Sequence, residues 1–173
     1  MMKKVLILII SLFIITGCGN TNNSVNSNSK KIENSNEKVT TLSCYHETYL
    51  FHSKKSVEHI ISINKDNKIT NYKYIEKYYE FDETRGDFDL ICEASPAEAE
   101  NNNKMYKYLN EEASCNKEAM EVTITDTYDI SKLENKKPLH TKELNENIDD
   151  NFILDVEGFK SAIGTKGYVC KEI

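Results

Sequence analysis

The sequence lacks the short motifs that mark the common catalytic and cofactor-binding sites. It has no G-x-S-x-G, no complete S-x-x-K set, no H-E-x-x-H, no G-x-G-x-x-G or P-loop, and no D-x-[DN]-x-[DN]-G calcium loop. None of its five cysteines forms a C-x-x-C pair, and no histidine lies near one at metal-ligand spacing. We therefore expect a protein that is not an enzyme and that holds no metal or cofactor.

A hydrophobic run long enough to span a bilayer is also missing. The longest run, residues 5–15, has about 11 residues, whereas a spanning helix needs roughly 20. Lys3 and Lys4 precede this run and small residues follow it, which is typical of a secretory signal peptide. The first residues are therefore predicted to direct export and not to cross the membrane.

The end of this segment, Ile15-Thr16-Gly17-Cys18, resembles a bacterial lipobox. On this interpretation residues 1–17 are a lipoprotein signal peptide, and cleavage leaves Cys18 as the first residue, with a diacylglyceryl group on its sulfur. Two or more acyl chains anchor a protein stably, whereas one chain holds it only marginally. We expect the chain on the extracytoplasmic face of the cell membrane, held by lipid on Cys18. The alternative is an ordinary signal peptide that happens to contain a cysteine.

Positive charge is scarce. The chain has 22 Lys and Arg against 28 Asp and Glu, and removal of residues 1–17 takes away Lys3 and Lys4. The mature chain then has 20 basic and 28 acidic residues, a formal charge of −8. This balance argues against a nucleic-acid partner, which would call for a basic surface.

Apolar residues are few in the stretch that follows the lipobox. Residues 19–38 are rich in Asn, Ser and charge, with only Val25 and Ile32 apolar, and cannot bury enough surface to fold. We expect residues 18–38 to form a lipid-anchored flexible tether. Residues 39–173 are expected to form a single extracytoplasmic domain.

Within this domain, strand patterns outnumber helix patterns. Strong strand signals cover residues 40–51, 56–63, 69–81 and 119–128, and the polar turn at 64–68 predicts a β-hairpin. A short strand near residues 168–170 would be the fifth. We predict a central helix over residues 95–113 and a short C-terminal helix that begins at Asp155. The expected fold is α+β, an antiparallel sheet of four to five strands with both helices on one face.

The start of the predicted central helix depends on three residues. Ser95 can cap the helix, Pro96 fits its first position, and Glu98 can complete a capping box. Cys92 and Cys115 then bracket the helix.

Four cysteines remain after Cys18, and an even number in an exported chain indicates disulfide bonds. They are Cys44, Cys92, Cys115 and Cys170. Four cysteines allow three pairings, and the residues alone leave these open.

Three groups of side chains are candidates for a site, and each has a plain structural alternative. His46, His52 and His59 could bind a metal but are better explained as surface or strand-edge histidines. The hairpin tyrosines could form a recognition face or could simply be half-buried strand formers. Acidic pairs such as Glu111-Glu112 could bind calcium, but without a calcium loop they are better explained as solvated faces. The tyrosines are Tyr72, Tyr74, Tyr78 and Tyr79, and the other acidic pairs are Asp82-Glu83 and Asp149-Asp150.

The order of elements resembles that of small lipoproteins of low-GC Gram-positive bacteria, distantly akin to the YehR-like lipoprotein family. The resemblance is carried by the lipobox, the Asn- and Ser-rich tether, TLSCY in the first strand, the Tyr-rich hairpin, VTITDTY and the final KGYVCKEI. It covers most of the chain from Cys18 onward and implies no activity. It does imply that Cys44 pairs with Cys170, because relatives of this type have a cysteine in the first strand and another in a terminal GY-x-C. Cys92 would then pair with Cys115.

Two functions therefore fit the sequence. The first is a binding or envelope-interaction module, which predicts an exposed apolar or aromatic patch on the sheet and no pocket. The second is an accessory lipoprotein that binds a small molecule or metal, which predicts an enclosed pocket lined by tyrosines. A hydrolase would need a histidine and a carboxylate to converge in a cleft, and nothing in the sequence indicates that they do.

Overall fold

A computed structural model describes residues 39–135 and 139–173. The predicted signal peptide, Cys18 and the predicted tether lie outside the described residues. None of the helices within the described ranges combines the length and the apolar character that a membrane-crossing helix needs.

The described residues form one antiparallel sheet with helices, as predicted, but the sheet has six strands and not four to five. Its strand order is β4-β5-β3-β2-β1-β6. A single 3-10 turn, Ile130–Lys132, follows β5, and there are three α-helices where two were predicted. The elements are β1 (Thr40–Tyr49), β2 (Lys54–Ile63), β3 (Ile69–Tyr79), α1 (Asp87–Met105), β4 (Leu109–Asn116), β5 (Glu121–Tyr128), α2 (Lys142–Glu146), α3 (Val156–Gly164) and β6 (Val169–Glu172).

The hairpin of β2 and β3 has the predicted turn. Asn64 Oδ1 accepts hydrogen bonds from the amides of Asp66 and Lys68, at 2.9 and 3.0 Å, which closes the turn. Asn67 takes a left-handed conformation with φ of 57°, which asparagine tolerates better than most residues. The strong local turn chemistry explains why this element could be predicted from sequence.

The central helix begins eight residues earlier than predicted, at Asp87, and ends at Met105. Gly86 caps it with φ of 72°, and two aspartates in its first turn suit the positive end of the helix dipole. Ser95 is not a cap, because its hydroxyl donates to the Ile91 carbonyl inside the helix at 2.7 Å. Pro96 lies within the helix and not at its first position.

Residues 109–113, predicted as the end of that helix, belong instead to β4, which pairs with β5 along its whole length. Cys115 therefore lies on a strand and Cys92 lies within α1, so the two cysteines do not bracket the helix. Pairing with a neighbouring strand overrides the local helix preference of this segment.

The structure pairs Cys44 with Cys170 and Cys92 with Cys115, the pairing that the resemblance implies. Cys44 and Cys170 are directly opposite each other on β1 and β6, with Cα atoms 4.0 Å apart. The second disulfide joins α1 to β4. Each bond therefore fixes one peripheral element to the sheet.

All three helices cover the same face of the sheet. Residues two apart on a strand share a face, so Val122 and Tyr128 of β5 point to the same side. Val122 packs with Phe88 and Cys92 of α1, and Tyr128 belongs to the larger core cluster. That cluster holds the buried residues of α2 and α3, which are Leu144, Phe159 and Ile163. The two clusters leave room between α1 and the C-terminal helices.

Candidate functional site

A cleft opens on the helix-bearing face between α1 and the segment that precedes α2. Two adjoining pockets of about 360 and 250 Å³ share four lining residues. We call them together the acidic cleft. Its shared residues are Asn102, Glu111, Asp126 and His140. The larger pocket is also lined by Tyr106, Tyr108, Leu109, Tyr128 and Leu139, and the smaller one by Tyr74, Glu76, Tyr78, Glu98 and Ile124.

Asp126 of β5 is the most deeply buried carboxylate of the cleft, with only 4% of its surface exposed. Its Oδ2 contacts Nε2 of His140, whereas its Oδ1 is buried and has no hydrogen-bond partner among the described residues. An unpaired buried carboxylate oxygen is unfavourable, and native structures contain few of them. Asp126 therefore has an acceptor that the described protein groups leave unused.

Glu111 of β4 lies directly opposite Asp126 in the strand pairing and is 8% exposed. Asn102 of α1 donates to Glu111 Oε2 at 2.7 Å, and the Asn103 side chain bonds both backbone groups of Glu111 at 2.6 and 2.8 Å. Burial raises the pKa of Glu111. The Asn102 hydrogen bond opposes this rise, and the charges of Asp126 and Glu98 add to it.

Two acidic side chains directly opposite each other on antiparallel strands repel and destabilise the sheet. Glu111 and Asp126 have this arrangement, and burial strengthens the repulsion because little water screens it. The protein therefore maintains a locally unfavourable pair at the floor of the cleft. Departures of this kind from local rules are typical of functional sites.

His140 forms one wall of the cleft. Its ring stacks on Tyr74, with ring centroids 3.7 Å apart, and meets the edge of Tyr128 at 5.9 Å. The neighbouring Leu139 is buried in the core, and its carbonyl accepts a hydrogen bond from Asn145 of α2 at 2.9 Å. These contacts hold the imidazole against Asp126.

The tyrosines give the cleft aromatic walls on both sides. In the larger pocket Tyr106 lies beside Tyr108, with centroids 5.6 Å apart, and Tyr108 stacks towards Tyr128. In the smaller pocket Tyr74 and Tyr78 donate to Glu76 at 2.5 and 3.0 Å. Burial is the main cause that raises the pKa of both Tyr74 and Tyr128, so these phenols stay neutral.

Glu76 differs from the other carboxylates because a lysine already neutralises it. Lys55 Nζ lies 2.6 Å from Glu76 Oε1. Burial works to raise the pKa of Glu76, but the hydrogen bonds from Lys55 and Tyr74 outweigh it, and the net shift is downward. Glu76 is therefore an ionised, fully paired member of the lining.

The sequence-predicted histidines do not form a site. His46 Nδ1 donates to the Gly167 carbonyl oxygen at 3.2 Å. His52 lies against Phe51 in the loop after β1, and His59 is buried in the core. The expectation of a surface or strand-edge position is wrong for His59, which packs among Tyr72, Tyr74 and other rings. Within residues 39–135 and 139–173, no group of three His, Cys, Asp or Glu side chains could hold a metal ion.

The acidic pairs behave as expected with one exception. Asp82, Glu83, Asp149 and Asp150 are exposed, and so is Glu112. Glu111 is buried, so the prediction that this pair is solvated is wrong for it. The error arises because residues 109–113 form a strand, in which neighbouring side chains point to opposite faces.

The sequence did not indicate Asp126 or His140 as site residues, and Glu111 appeared only in an acidic pair that was expected to be solvated. One signal was present for Asp126, because the alternation that places Val122 and Ile124 inward also places a carboxylate inward two residues later. Glu111 and His140 carried no such signal. Their approach to Asp126 depends on the pairing of β4 with β5 and on the position of the segment before α2.

A larger cavity of about 540 Å³ lies between residues 107–108 and 131–135. Of its described lining residues only Leu133 is buried, and none is a buried ionisable group. It therefore offers fewer specific contacts than the acidic cleft.

Comparisons with protein-family models, with curated proteins and with solved structures find no match to this chain. The resemblance to YehR-like lipoproteins therefore stays a prediction. The site must be interpreted from its own geometry.

A hydrolase would need a histidine and a carboxylate that converge in a cleft, and His140 and Asp126 do so here. The described residues that line the two pockets include no serine, threonine or cysteine to act as a nucleophile. What the lining does supply is acceptors, aromatic rings and one imidazole. This is the composition of a binding site that recognises a polar group beside an apolar one.

Proposed function

We propose that this chain is a lipid-anchored extracytoplasmic binding protein, of the YehR-like lipoprotein type, whose ligand site is the acidic cleft. The observation that carries the proposal is Asp126, a buried carboxylate with an unpaired Oδ1, in the lining of a tyrosine-walled cleft. A ligand donor would satisfy this oxygen and relieve the repulsion between Asp126 and Glu111. The protein is a binding module and not an enzyme.

The lipid anchor rests on separate support. Residues 15–18 fit a lipobox, and two disulfide bonds in a chain of this size suit an oxidising compartment outside the cytoplasm. The tyrosine-lined cleft favours the accessory ligand-binding lipoprotein over a purely structural one. The membrane is then the one partner that the anchor requires.

An envelope-interaction role is a second candidate, and one observation favours it. The end of β1 and the loop that follows it expose three consecutive apolar or aromatic residues, Tyr49, Leu50 and Phe51, and 91% of the Phe51 surface is exposed. This small patch could contact another envelope protein without involving the cleft.

The anchor is tested by the intact mass of the protein extracted from membranes, measured before and after delipidation. We expect loss of residues 1–17 and added acyl mass on the new first residue, Cys18. With alkylation before and after reduction, the other four cysteines should be modified only after reduction. A chain that retains residues 1–17, or that carries no lipid, contradicts the anchor.

The binding role is tested by NMR on the ¹⁵N-labelled mature protein with a library of cationic, neutral and anionic fragments. We expect at least one fragment class to shift the amides of inward-facing residues such as Glu111 and Asp126. Amides of Glu112 and Thr125 serve as the internal reference, because these neighbours face the other side of the sheet. If no fragment of any charge shifts the cleft amides selectively, the cleft is not a ligand site.

A further inference from the structure

We propose that the ligand of the acidic cleft carries a primary ammonium group, bound by Asp126 and Glu111, beside an apolar body that lies against the tyrosines. This inference rests on the proposed binding function and names the chemical class of the ligand. It follows from the charge, the hydrogen-bonding capacity and the shape of the described lining.

The charged side chains of the cleft are mainly carboxylates. Its described lining contains four carboxylates and no lysine or arginine, and the single imidazole of His140 contacts only Asp126 among them. Lys55 neutralises Glu76 from outside the lining, which leaves Glu98, Glu111 and Asp126. A concave site lined mainly by one sign of charge concentrates ions of the opposite sign. The ligand is therefore a cation.

The hydrogen-bonding pattern selects the type of cation. Among the described residues, Asp126 Oδ1 has no donor, and the Glu111 carboxylate accepts a side-chain hydrogen bond only from Asn102. An alkylammonium group has three N–H donors and no acceptor, so one group can serve both carboxylates. A quaternary ammonium has no N–H and would leave Asp126 Oδ1 unpaired. Primary amines therefore fit the floor better than fully substituted ones.

The aromatic and apolar lining indicates which kind of group is attached to the ammonium. Beside Asp126, the larger pocket is lined by the rings of Tyr106, Tyr108 and Tyr128 and by two leucines. Its volume of about 360 Å³ falls at the small end of the range for organic ligands. Aromatic faces also attract a nearby cation, which adds to the effect of the carboxylates. A small alkyl or aryl amine satisfies both halves of the site.

The ionisation of Glu111 agrees with this assignment. Burial and the neighbouring carboxylates raise its pKa, and the described lining of the cleft has no lysine or arginine to oppose this. A bound ammonium would favour the charged form and reverse this shift. Amine binding should therefore strengthen as the pH rises through the range in which Glu111 ionises.

The test uses calorimetric titration of the mature protein with three probes that share one body, namely phenethylamine, phenethyl alcohol and 3-phenylpropionate. We expect phenethylamine to bind about 10-fold to 100-fold more tightly than the alcohol, which is the usual effect of a hydrogen bond to a charged group. The carboxylate probe should not bind. NMR shifts at Glu111 and Asp126 would place the amine in the cleft.

Variants of the two carboxylates then test whether they bind the amine. Asp126→Asn should weaken phenethylamine binding by about 10-fold or more. Glu111→Gln should weaken it by a smaller factor, because Asn102 already occupies part of that carboxylate. The matched controls are Asp66→Asn and Glu112→Gln, which make the same changes at exposed positions outside the cleft. Neither control should alter the affinity.

Each other result overturns the inference. Equal affinity for the amine and the alcohol would mean that charge is not recognised, although the cleft would still be a ligand site. Shifts of the cleft amides by Ca²⁺ or Zn²⁺ alone, without amine binding, would make it a metal site. If the fragment library binds in the cleft but no amine does, the ligand class is wrong and the binding function stands. If Asp126→Asn does not fold, the comparison of the three probes on the unaltered protein still decides.

Discussion

Replacement of Cys44 and Cys170 by alanine should lower the free energy of unfolding by about 4–5 kcal/mol in the chain-entropy model. The two residues are 126 positions apart, so their bond closes a loop that contains nearly the whole described domain. A longer loop restricts the unfolded chain more strongly. Because small domains are stable by only about 5–15 kcal/mol, this loss would remove a large share of the stability.

The other disulfide supplies the control for this prediction. Cys92 and Cys115 are 23 positions apart, and their joint replacement by alanine should cost roughly 3 kcal/mol. Urea denaturation of both double variants, without reducing agent, gives the two values. A larger loss from the Cys92 and Cys115 variant would contradict the loop-length explanation and would indicate that the contacts of α1 with β4 dominate.

The second large effect should appear on acidification, because His59 is buried among aromatic rings with no exposed surface. Burial lowers the pKa of His59 to about 4, and the nearby His140 contributes further. In the unfolded chain a histidine has a pKa of about 6.5. Above about pH 6.5 the residue is neutral in both states and has no effect on stability.

As the pH falls below about 6.5, the unfolded chain takes up a proton that the folded protein does not, and stability decreases. The decrease is complete near pH 4, where the folded His59 also becomes protonated. One pKa unit corresponds to 1.36 kcal/mol, so the total loss should be about 3 kcal/mol. Among the described residues, the His59 ring has one hydrogen-bond partner, the Tyr72 hydroxyl, which lies 2.9 Å from Nδ1.

The measurement is the unfolding free energy between pH 7.5 and 4 for the wild type and for His59→Gln, with His46→Gln as the matched control. The difference between wild type and His59→Gln should change by about 3 kcal/mol across this range, and His46→Gln should follow the wild type. The comparison between variants is needed because Glu111, whose pKa is raised, contributes with the opposite sign as the pH falls. Parallel pH profiles for wild type and His59→Gln would refute the prediction.

The fold could be predicted from sequence where the local signal and the final environment agree. The alternation in β5 and the polar turn between β2 and β3 are local features, and both elements are found where the sequence places them. The β4 segment, LNEEASCN, contains good helix formers, and its strand conformation depends on its pairing with β5. Local propensity could not reveal this, because the partner strand lies later in the chain.

The candidate site, like the fold, could be predicted only where a local sequence signal exists. Asp126 occupies an inward position of a strand that was predicted, so its burial could have been deduced. The approach of Glu111 requires the strand that was missed, and that of His140 requires a segment without a periodic pattern. Both are tertiary contacts between positions far from each other in sequence. No spacing rule links them. The sequence therefore offered a tyrosine-lined pocket only as an alternative and did not indicate its acidic floor.

The Cys44–Cys170 bond also has a mechanical consequence for an anchored protein. Any pull on the predicted tether enters the domain at the start of β1, and β1 is flanked by β2 on one side and β6 on the other. Within β1, only residues 40–43 precede the disulfide. Only this short part of the strand can therefore separate from the sheet before the covalent bond bears the force. The force then passes to β6 instead of unzipping β1 from β2. The domain is thus reinforced at the strand through which tension would reach it.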